Sequence, residues 1–275
     1  MSLDLTIVIP VKNEERNLPG CLDAIGDGFA AQVVLVDSGS TDGTKAIAAQ
    51  RGVPVIDFQW DGRFPKKRNW YLRHHTPATQ WVLFLDADEY LTPPVKKEMT
   101  QALTQPKDKV GFWLSYTIYF MGKPLKHGYP LTKLALFRVG AGEYERIDED
   151  QWSRLDMEIH EHPQLDGAIG EIRAKIDHRD FRGIDHYNLK HHEYAAWEAA
   201  RFAKDIDNPE KVKSWTWKQR LKYRLIGSPL IGPAYFLGSY VGMGGFLDGA
   251  RGFAFAILKM SYFTQIYCRI KERDV

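Results

Sequence analysis

The feature that most constrains this chain is the alternation of short apolar runs with amphipathic stretches over its first hundred residues. Residues 6–9, 32–36, 53–58 and 81–85 are near-continuously apolar and rich in β-branched side chains, as strands buried on both faces must be. Between them Leu18, Leu22 and Ile25 share one helical face. Thr41 or Asp42 can cap a helix that runs to Gln50 and stops at Gly52. A third helix is predicted over residues 65–74 and a fourth from Pro93. A β-α-β-α order of this kind predicts an α/β fold with a mostly parallel sheet and right-handed crossovers.

The pattern changes after about residue 108. Residues 111–121 and 131–139 read as longer, antiparallel strands joined by a loop over 122–130. Residues 140–180 are charged and turn-rich, and residues 187–207 turn helical, with Tyr194, Trp197 and Phe202 as large apolar members. A chain of 275 residues that is 44% hydrophobic and 26% charged is an ordered globular protein. A net charge of +2 gives no general case for nucleic-acid binding. Two cysteines, Cys21 and Cys268, suit neither a disulfide framework nor a Cys-rich zinc site, so a reducing cytoplasm is expected. No charged and apolar leader pattern precedes the first strand, and no signal peptide is expected.

Three polar segments fall at consecutive strand ends, the edge at which open α/β sheets bind ligands. The first is Pro10-Val11-Lys12-Asn13-Glu14, the second Asp37-Ser38-Gly39-Ser40-Thr41-Asp42-Gly43-Thr44, and the third Asp86-Ala87-Asp88-Glu89. Asp86 and Asp88 on a tight turn offer oxygen ligands to a hard divalent ion, Mg²⁺ or Mn²⁺, with room left for substrate phosphates. The Asp37 carboxylate can accept hydrogen bonds from a nucleobase N–H, and small neighbours such as Ser38 and Gly39 permit close backbone approach. Lys66, Lys67 and Arg68 open the third helix and can place positive charge near phosphates. Taken singly, each segment is ordinary: a solvated turn, a helix cap, a charged helix face. Their order and spacing are not.

Together the motifs at residues 6–14, 34–42 and 84–88 resemble those of family 2 glycosyltransferases with the GT-A fold, in particular the bacterial lipopolysaccharide-core and exopolysaccharide branch. The resemblance implies a Rossmann-like nucleotide-sugar domain. It implies that Pro10, Val11 and Glu14 line the nucleotide pocket with Ser38, Gly39 and Ala87, and that Asp37 contacts uracil. It also implies that Arg68 lies near the donor, that Asp88 is the main metal-contacting carboxylate, and that Asp86 faces the ribose or metal. A UDP-sugar donor and inversion at the anomeric carbon are the family's habit. On this reading residues 1–108 form the donor half and residues 109–186 the acceptor half of one catalytic domain. Residues 187–275 form a helical, membrane-interfacial appendage.

Inversion needs a carboxylate to take the acceptor hydroxyl proton. Met157-Glu158-Ile159-His160-Glu161-His162 is the densest candidate segment. Its alternation predicts a strand with Glu158, His160 and His162 on one face and Glu161 on the other. Glu161 is the first choice of base, Glu158 the second and Asp156 a distant third. The resemblance places a histidine, here His178, near the metal or diphosphate. Gln151-Trp152-Ser153-Arg154-Leu155 departs from the Gln-x-x-Arg-Trp element of processive synthases, which argues for single-sugar transfer. Six of nine histidines lie between residues 160 and 192, yet no His-Glu-x-x-His occurs, so a zinc hydrolase is disfavoured.

From Leu225 to Leu247 no residue is charged, and six glycines with Pro229 and Pro233 break the run. Lys211, Lys213, Lys218, Arg220, Lys222 and Arg224 precede it, interleaved with Trp215, Trp217 and Tyr223. Such an approach suits an anionic membrane surface, and the rival reading is an internal hairpin or oligomer interface. The sequence therefore predicts a cytoplasmic hexosyltransferase, peripheral on the inner face of the membrane, that glycosylates a lipid-linked acceptor. Two alternatives stand beside it: a silent glycan- or partner-binding scaffold of the same fold, and a nucleotidyltransferase. The latter wants a Gly-rich basic loop after the first strand, which Pro10–Glu14 is not.

Overall fold

Strand β1 (Leu3–Val11) is buried at every position except Asp4, because it runs through the middle of a sheet with layers on both faces. Its odd-numbered side chains, Leu5, Ile7 and Ile9, enter one core, while Val8 enters the other. The same period of two divides β2 (Ala30–Asp37) and β4 (Trp81–Phe84): Leu35, Trp81 and Leu83 face the first core, Val34, Val36, Val82 and Phe84 the second. Helices α1 (Leu18–Ile25), α2 (Thr44–Gln50) and α4 (Pro93–Thr104) supply Leu18, Cys21, Ala48, Val95 and Met99 to the first core. Helix α3 (Lys67–His74) closes the second with Tyr71. Pro93 sits in the first turn of α4, where its missing N–H leaves no helical bond unmade, and Thr92 caps Val95.

The computed structural model describes residues 2–147, 149, 153, 155–158, 161–206, 212–213 and 217–272. Met1–Tyr119 with Pro130–Phe181 form one compact unit, and Phe120–Tyr129 with Arg182–Val275 form another. In the first unit β3 (Val55–Asp57), β5 (Glu89–Tyr90), β6 (Lys109–Phe120), β8 (Leu131–Arg138) and β11 (Ala168–His178) extend the sheet; β7 (Lys123–Pro124) lies in the hairpin beyond β6. The order is β3-β2-β1-β4-β8-β6-β11-β5. Strands β1 to β4 are mutually parallel where they pair, and β8 is antiparallel to both β4 and β6. Since β11 is parallel to β6, the C-terminal ends of β1, β2, β3, β4, β6 and β11 share one edge. The fold is a mostly parallel α/β sheet with helices on both faces.

Two expectations change. The charged stretch 140–180 contains β9 (Gly142–Tyr144), its antiparallel partner β10 (Pro163–Leu165), and the eleven-residue β11. Only Ile172 and Ile176 of β11 are fully buried, so its alternation is diluted by Glu171, Arg173 and Lys175. The second change concerns residues 157–162. Met157, Glu158, Glu161 and His162 are not in a strand, while Ile159 and His160 lie outside the described residues, as do Gln151, Trp152 and Arg154. Glu158 and Glu161 make side-chain bonds to the start of α3, and the His162 carbonyl accepts the Glu145 N–H at 3.0 Å.

The second unit is helical: α5 (Gly183–Ile206), α6 (Trp217–Ile226), α7 (Ile231–Phe236), a π-helical turn Leu237–Gly242, a 3-10 turn Gly245–Asp248, and α8 (Gly249–Glu272). Ala195, Phe202, Tyr223, Ile231 and Ile266 meet in its core. The glycines here let backbones touch: a Cβ on Gly252 would lie 2.0 Å from the Gly245 carbonyl oxygen. Among the described residues no single helix is long and apolar enough to cross a membrane; Ile231–Gly242 and Gly245–Glu272 meet that test only as a pair bent by 73°.

Candidate active site

The loops after β1 and β2 are laced together. Asn13, in the left-handed region at φ 57°, accepts the Thr41 N–H at 2.8 Å, and its own N–H donates to Ser40 Oγ at 2.9 Å. The Glu14 N–H donates to Thr44 Oγ1 at 2.8 Å, and Glu14 Oε2 accepts from Asn17 Nδ2 at 2.9 Å. Pro10 pairs with Val36 and Val11 with Asp37 across the strands. The Val11 carbonyl accepts both the Ser38 N–H, at 3.1 Å, and Lys67 Nζ, at 3.2 Å. Asp37 is fully buried and takes the N–H groups of Gly39 and Ser40 at 3.0 and 2.9 Å, with Lys45 at 3.4 Å. Burial alone would raise its pKa; the bonds from Ser40 and Lys45 outweigh burial and lower it. Asp37 is thus a strut of the loop, placed beside Val11 by strand register.

The third motif is held by counter-ions. Asp86 Oδ1 pairs with Arg68 at 2.8 Å and Oδ2 with Lys133 at 2.8 Å, while Lys133 also pairs with the buried Glu89. Burial would raise the pKa of Asp86, but Lys133 and Arg68 hold it well below the ordinary carboxylate range. Lys133 is raised in turn: burial disfavours its charge, yet Asp86 and Glu89 more than offset this. Ala87 is buried in the first core between Asp86 and Asp88, and Asp88 is itself buried. Asp88 Oδ2 lies 3.2 Å from His178 Nε2. That contact exists because β5 pairs antiparallel with β11, setting His178 opposite Glu89.

Helix α3 carries three consecutive buried cations. Lys66 pairs with Glu149 and, at 3.0 Å, with Glu161; Lys67 pairs with Asp156 at 3.5 Å; Arg68 reaches Asp86. Glu158 accepts the N–H groups of Arg68 at 2.9 Å and Asn69 at 3.1 Å. It therefore caps the helix from a distant segment, a position where negative charge is favoured. Burial lifts the Glu158 pKa against the pull of Arg68 and these amides. Asn69 clamps Tyr144 of β9 through two bonds, at 2.8 and 2.9 Å.

The structure thus gathers Pro10, Val11, Asp37, Ser38, Arg68, Asp86, Asp88 and His178 along one sheet edge. It sets Glu158 and Glu161 against α3, both buried. Lys133 and Asn69 escaped sequence reasoning. The available signal was a lysine inside the apolar strand Leu131–Arg138, where a charge needs a partner. Two buried polar atoms at the edge, Ser38 Oγ and Arg68 Nε, have no hydrogen-bond partner among the described residues. Such open capacity is what a bound ligand satisfies. A groove of about 730 Å³ in the helical unit, lined by Tyr187, His191, His192, Leu258 and Tyr262, holds none of these residues.

For a divalent ion the donor set is small. Asp88 and His178 provide one carboxylate and one imidazole, Asp86 is engaged by two cations, and no group of three or more His, Cys, Asp or Glu forms a ligand cluster among the described residues. One or two side chains are what Mg²⁺ takes when substrate phosphates complete its shell. The residues fit an ion that arrives with a diphosphate.

Several known proteins are similar to this chain. The profile described as "Glycosyl transferase family 2" matches residues 6–128. The lipopolysaccharide core biosynthesis glycosyltransferase LpsC of Rhizobium meliloti (strain 1021) is 28% identical over 276 residues, covering 93% of this chain and 90% of that one. The 4,4'-diaponeurosporenoate glycosyltransferase of Staphylococcus aureus (strain MRSA252) is 27% identical over 53% of this chain and 40% of its own. Among solved structures, glucosyl-3-phosphoglycerate synthase from Mycobacterium tuberculosis, in complex with Mn²⁺, UDP and phosphoglyceric acid, is 18% identical with a TM-score of 0.43, over 71% of this chain and 77% of that one. The three strand-end motifs thus lie within a segment that matches the family 2 glycosyltransferase profile, and the chain is similar over nearly its whole length to a glycosyltransferase of lipopolysaccharide core biosynthesis.

Proposed function

We propose that the protein moves a single hexose from a UDP-sugar, with inversion, to a lipid-linked oligosaccharide or lipopolysaccharide-type acceptor, with Mg²⁺ or Mn²⁺ at Asp88 and His178. The observation that carries the reading is the pair of unsatisfied buried atoms, Ser38 Oγ and Arg68 Nε, beside Asp37 and Asp86. The base of the donor lies against the Asp37–Gly39 loop, and Arg68 faces its diphosphate. The acceptor oxygen bonds to the anomeric carbon, the bond from that carbon to the diphosphate breaks, and the acceptor proton passes to a carboxylate, Glu161. A bound divalent ion supplies neutralisation of charge on the leaving diphosphate. The lipid-linked acceptor is supported by the relative named for lipopolysaccharide core biosynthesis. A scaffold or a nucleotidyltransferase would leave UDP-sugars unhydrolysed and untransferred.

Thermal-shift titration tests the donor side. UDP with Mn²⁺ is expected to stabilise the protein by about 2.7 kcal/mol at ~100 times Kd, and much less in EDTA. Equal binding with and without metal removes the ion from the reaction. A preference for guanine nucleotides removes the Asp37–uracil contact.

We also propose that the helical unit lies in the membrane interface. No charge occurs from Leu225 to Leu247, and Leu230, Leu237, Val241, Phe246, Leu247 and Phe253 are exposed, Leu230 by 65%. An apolar surface of this kind, beside a run of Lys and Arg, matches an anionic leaflet, with roughly 1 kcal/mol from each basic residue near it. Full-length protein is expected to float with anionic liposomes at low salt, and less as salt rises. A chain in which Leu237, Val241 and Phe246 are each replaced by Ser is expected to remain in the soluble fraction. Wild-type protein that ignores such liposomes favours an oligomer interface for this surface.

A further inference from the structure

The strand order leaves one part of the edge unassigned. The nucleotide loops stand at β1 and β2 and the two aspartates at β4, whereas the ends of β6 and β11 lie farther along the same edge. There Arg179 follows directly on His178. Its N–H donates to the Asp88 carbonyl at 2.7 Å, so it is anchored to the Asp-x-Asp turn itself. Its guanidinium lies 4.3 Å from the ring centre of Tyr119 and 5.6 Å from that of Tyr90. Nη2 donates to Tyr119 Oη at 3.1 Å and pairs with Asp177. Tyr119 Oη in turn donates to Asp177 at 3.1 Å, fixing the carboxylate.

A surface arginine ordinarily keeps its rotamer freedom in water. This one is braced on ring faces and held at one nitrogen by two groups that also hold each other. Nη1 makes no hydrogen bond among the described residues, and the side chain is 37% exposed. Nε is buried without a partner. Beside it Phe181, 56% exposed, packs edge-on against Tyr90 at 6.3 Å and presents an aromatic surface at the same site. A fixed guanidinium with an open donor next to an exposed ring matches a sugar that carries a charged oxygen group.

We infer that Arg179, with Tyr119 and Phe181, recognises a carboxylate or phosphate on the acceptor sugar. The inference rests on the proposed transfer reaction, because it assigns the acceptor to the part of the edge beyond Asp88. Asp177 sets the guanidinium plane and neutralises one end, so the anion is taken at Nη1.

The test uses full-length protein with UDP and Mn²⁺ present, and compares glucuronate and mannose 6-phosphate with glucose and mannose by saturation-transfer NMR and calorimetry. The charged sugars are expected to bind more tightly, and Arg179→Gln to weaken them about 10- to 100-fold, the span of a charge-assisted hydrogen bond. Arg179→Lys should recover part of that loss, and Phe181→Ala should weaken charged and neutral sugars alike. UDP affinity should be the same in all variants. Equal affinity for charged and neutral sugars, binding by neither, or full retention in Arg179→Gln overturns the assignment. So does inorganic phosphate that binds as tightly as mannose 6-phosphate, because the site would then read a free anion and no sugar. Absence of UDP binding, with Arg179-dependent binding of the charged sugars intact, defeats the donor reading and leaves this site standing.

Discussion

Asp88→Ala is expected to abolish sugar transfer while the protein stays folded. Asp88 stands against His178 on the Asp-x-Asp turn, whereas Asp86 is engaged by Arg68 and Lys133. Without it the charge that develops on the leaving diphosphate is met by Arg68 alone. Loss of several kcal/mol of transition-state stabilisation corresponds to a fall of about 10³-fold or more in turnover. The cost to folding is small, because the side chain sits on a turn at a strand end and contributes to neither hydrophobic core. Tm should fall by no more than about 4 °C. Turnover assays with Mn²⁺, alongside UDP binding and thermal melts, check both halves. A variant with near-normal turnover places the metal, or the leaving-group stabilisation, elsewhere. A variant that unfolds makes Asp88 a structural residue.

Glu161→Gln is expected to lower turnover by about 10²- to 10⁴-fold with UDP affinity unchanged, since the amide keeps the shape but accepts no proton. In the structure Glu161 is 5% exposed and paired with Lys66. As the base it exchanges this lysine for the acceptor hydroxyl when substrate binds, in keeping with the tendency of catalytic contacts to tighten only in the complex. Glu158→Gln should behave differently. Both Glu158 oxygens accept backbone N–H groups of α3, so the amide nitrogen of Gln faces a donor. An unsatisfied buried donor costs about 1–3 kcal/mol, which appears as a lower Tm and, through the displaced start of α3 and Arg68, as weaker UDP binding. The reverse pattern, with turnover lost in Glu158→Gln at unchanged Tm and kept in Glu161→Gln, makes Glu158 the base.

The first hundred residues were legible because their signals are local. Strand register follows from apolar periodicity, and the strand-end motifs are contiguous in the chain, so Val11, Asp37 and Asp88 could be set on one edge from spacing alone. The middle region hid its order for a physical reason. Strand β11 buries only Ile172 and Ile176 fully, and a half-exposed strand tolerates the charges that read as turn. Residues 157–162 alternate like a strand, yet their acids are drawn to the three cations and free N–H groups at the start of α3, about 90 residues earlier in the chain. Hydrogen-bond demand at a helix end outweighed β propensity there.

In the helical unit the sequence showed an uncharged, glycine-broken segment but not why the glycines are needed. The answer is steric: Gly252 admits the Gly245 carbonyl where any Cβ would collide. The sequence by itself determined the α/β class, the polar loops at the strand ends and the pair of aspartates, because each is written in adjacent residues. Only the tertiary structure decided that Lys133 and Arg68 neutralise Asp86, that His178 and Arg179 come to Asp88, and that Glu158 caps α3. Those contacts join residues whose separation in sequence carries no local signal, and their partners are chosen by burial, where an unpaired charge is too costly to keep.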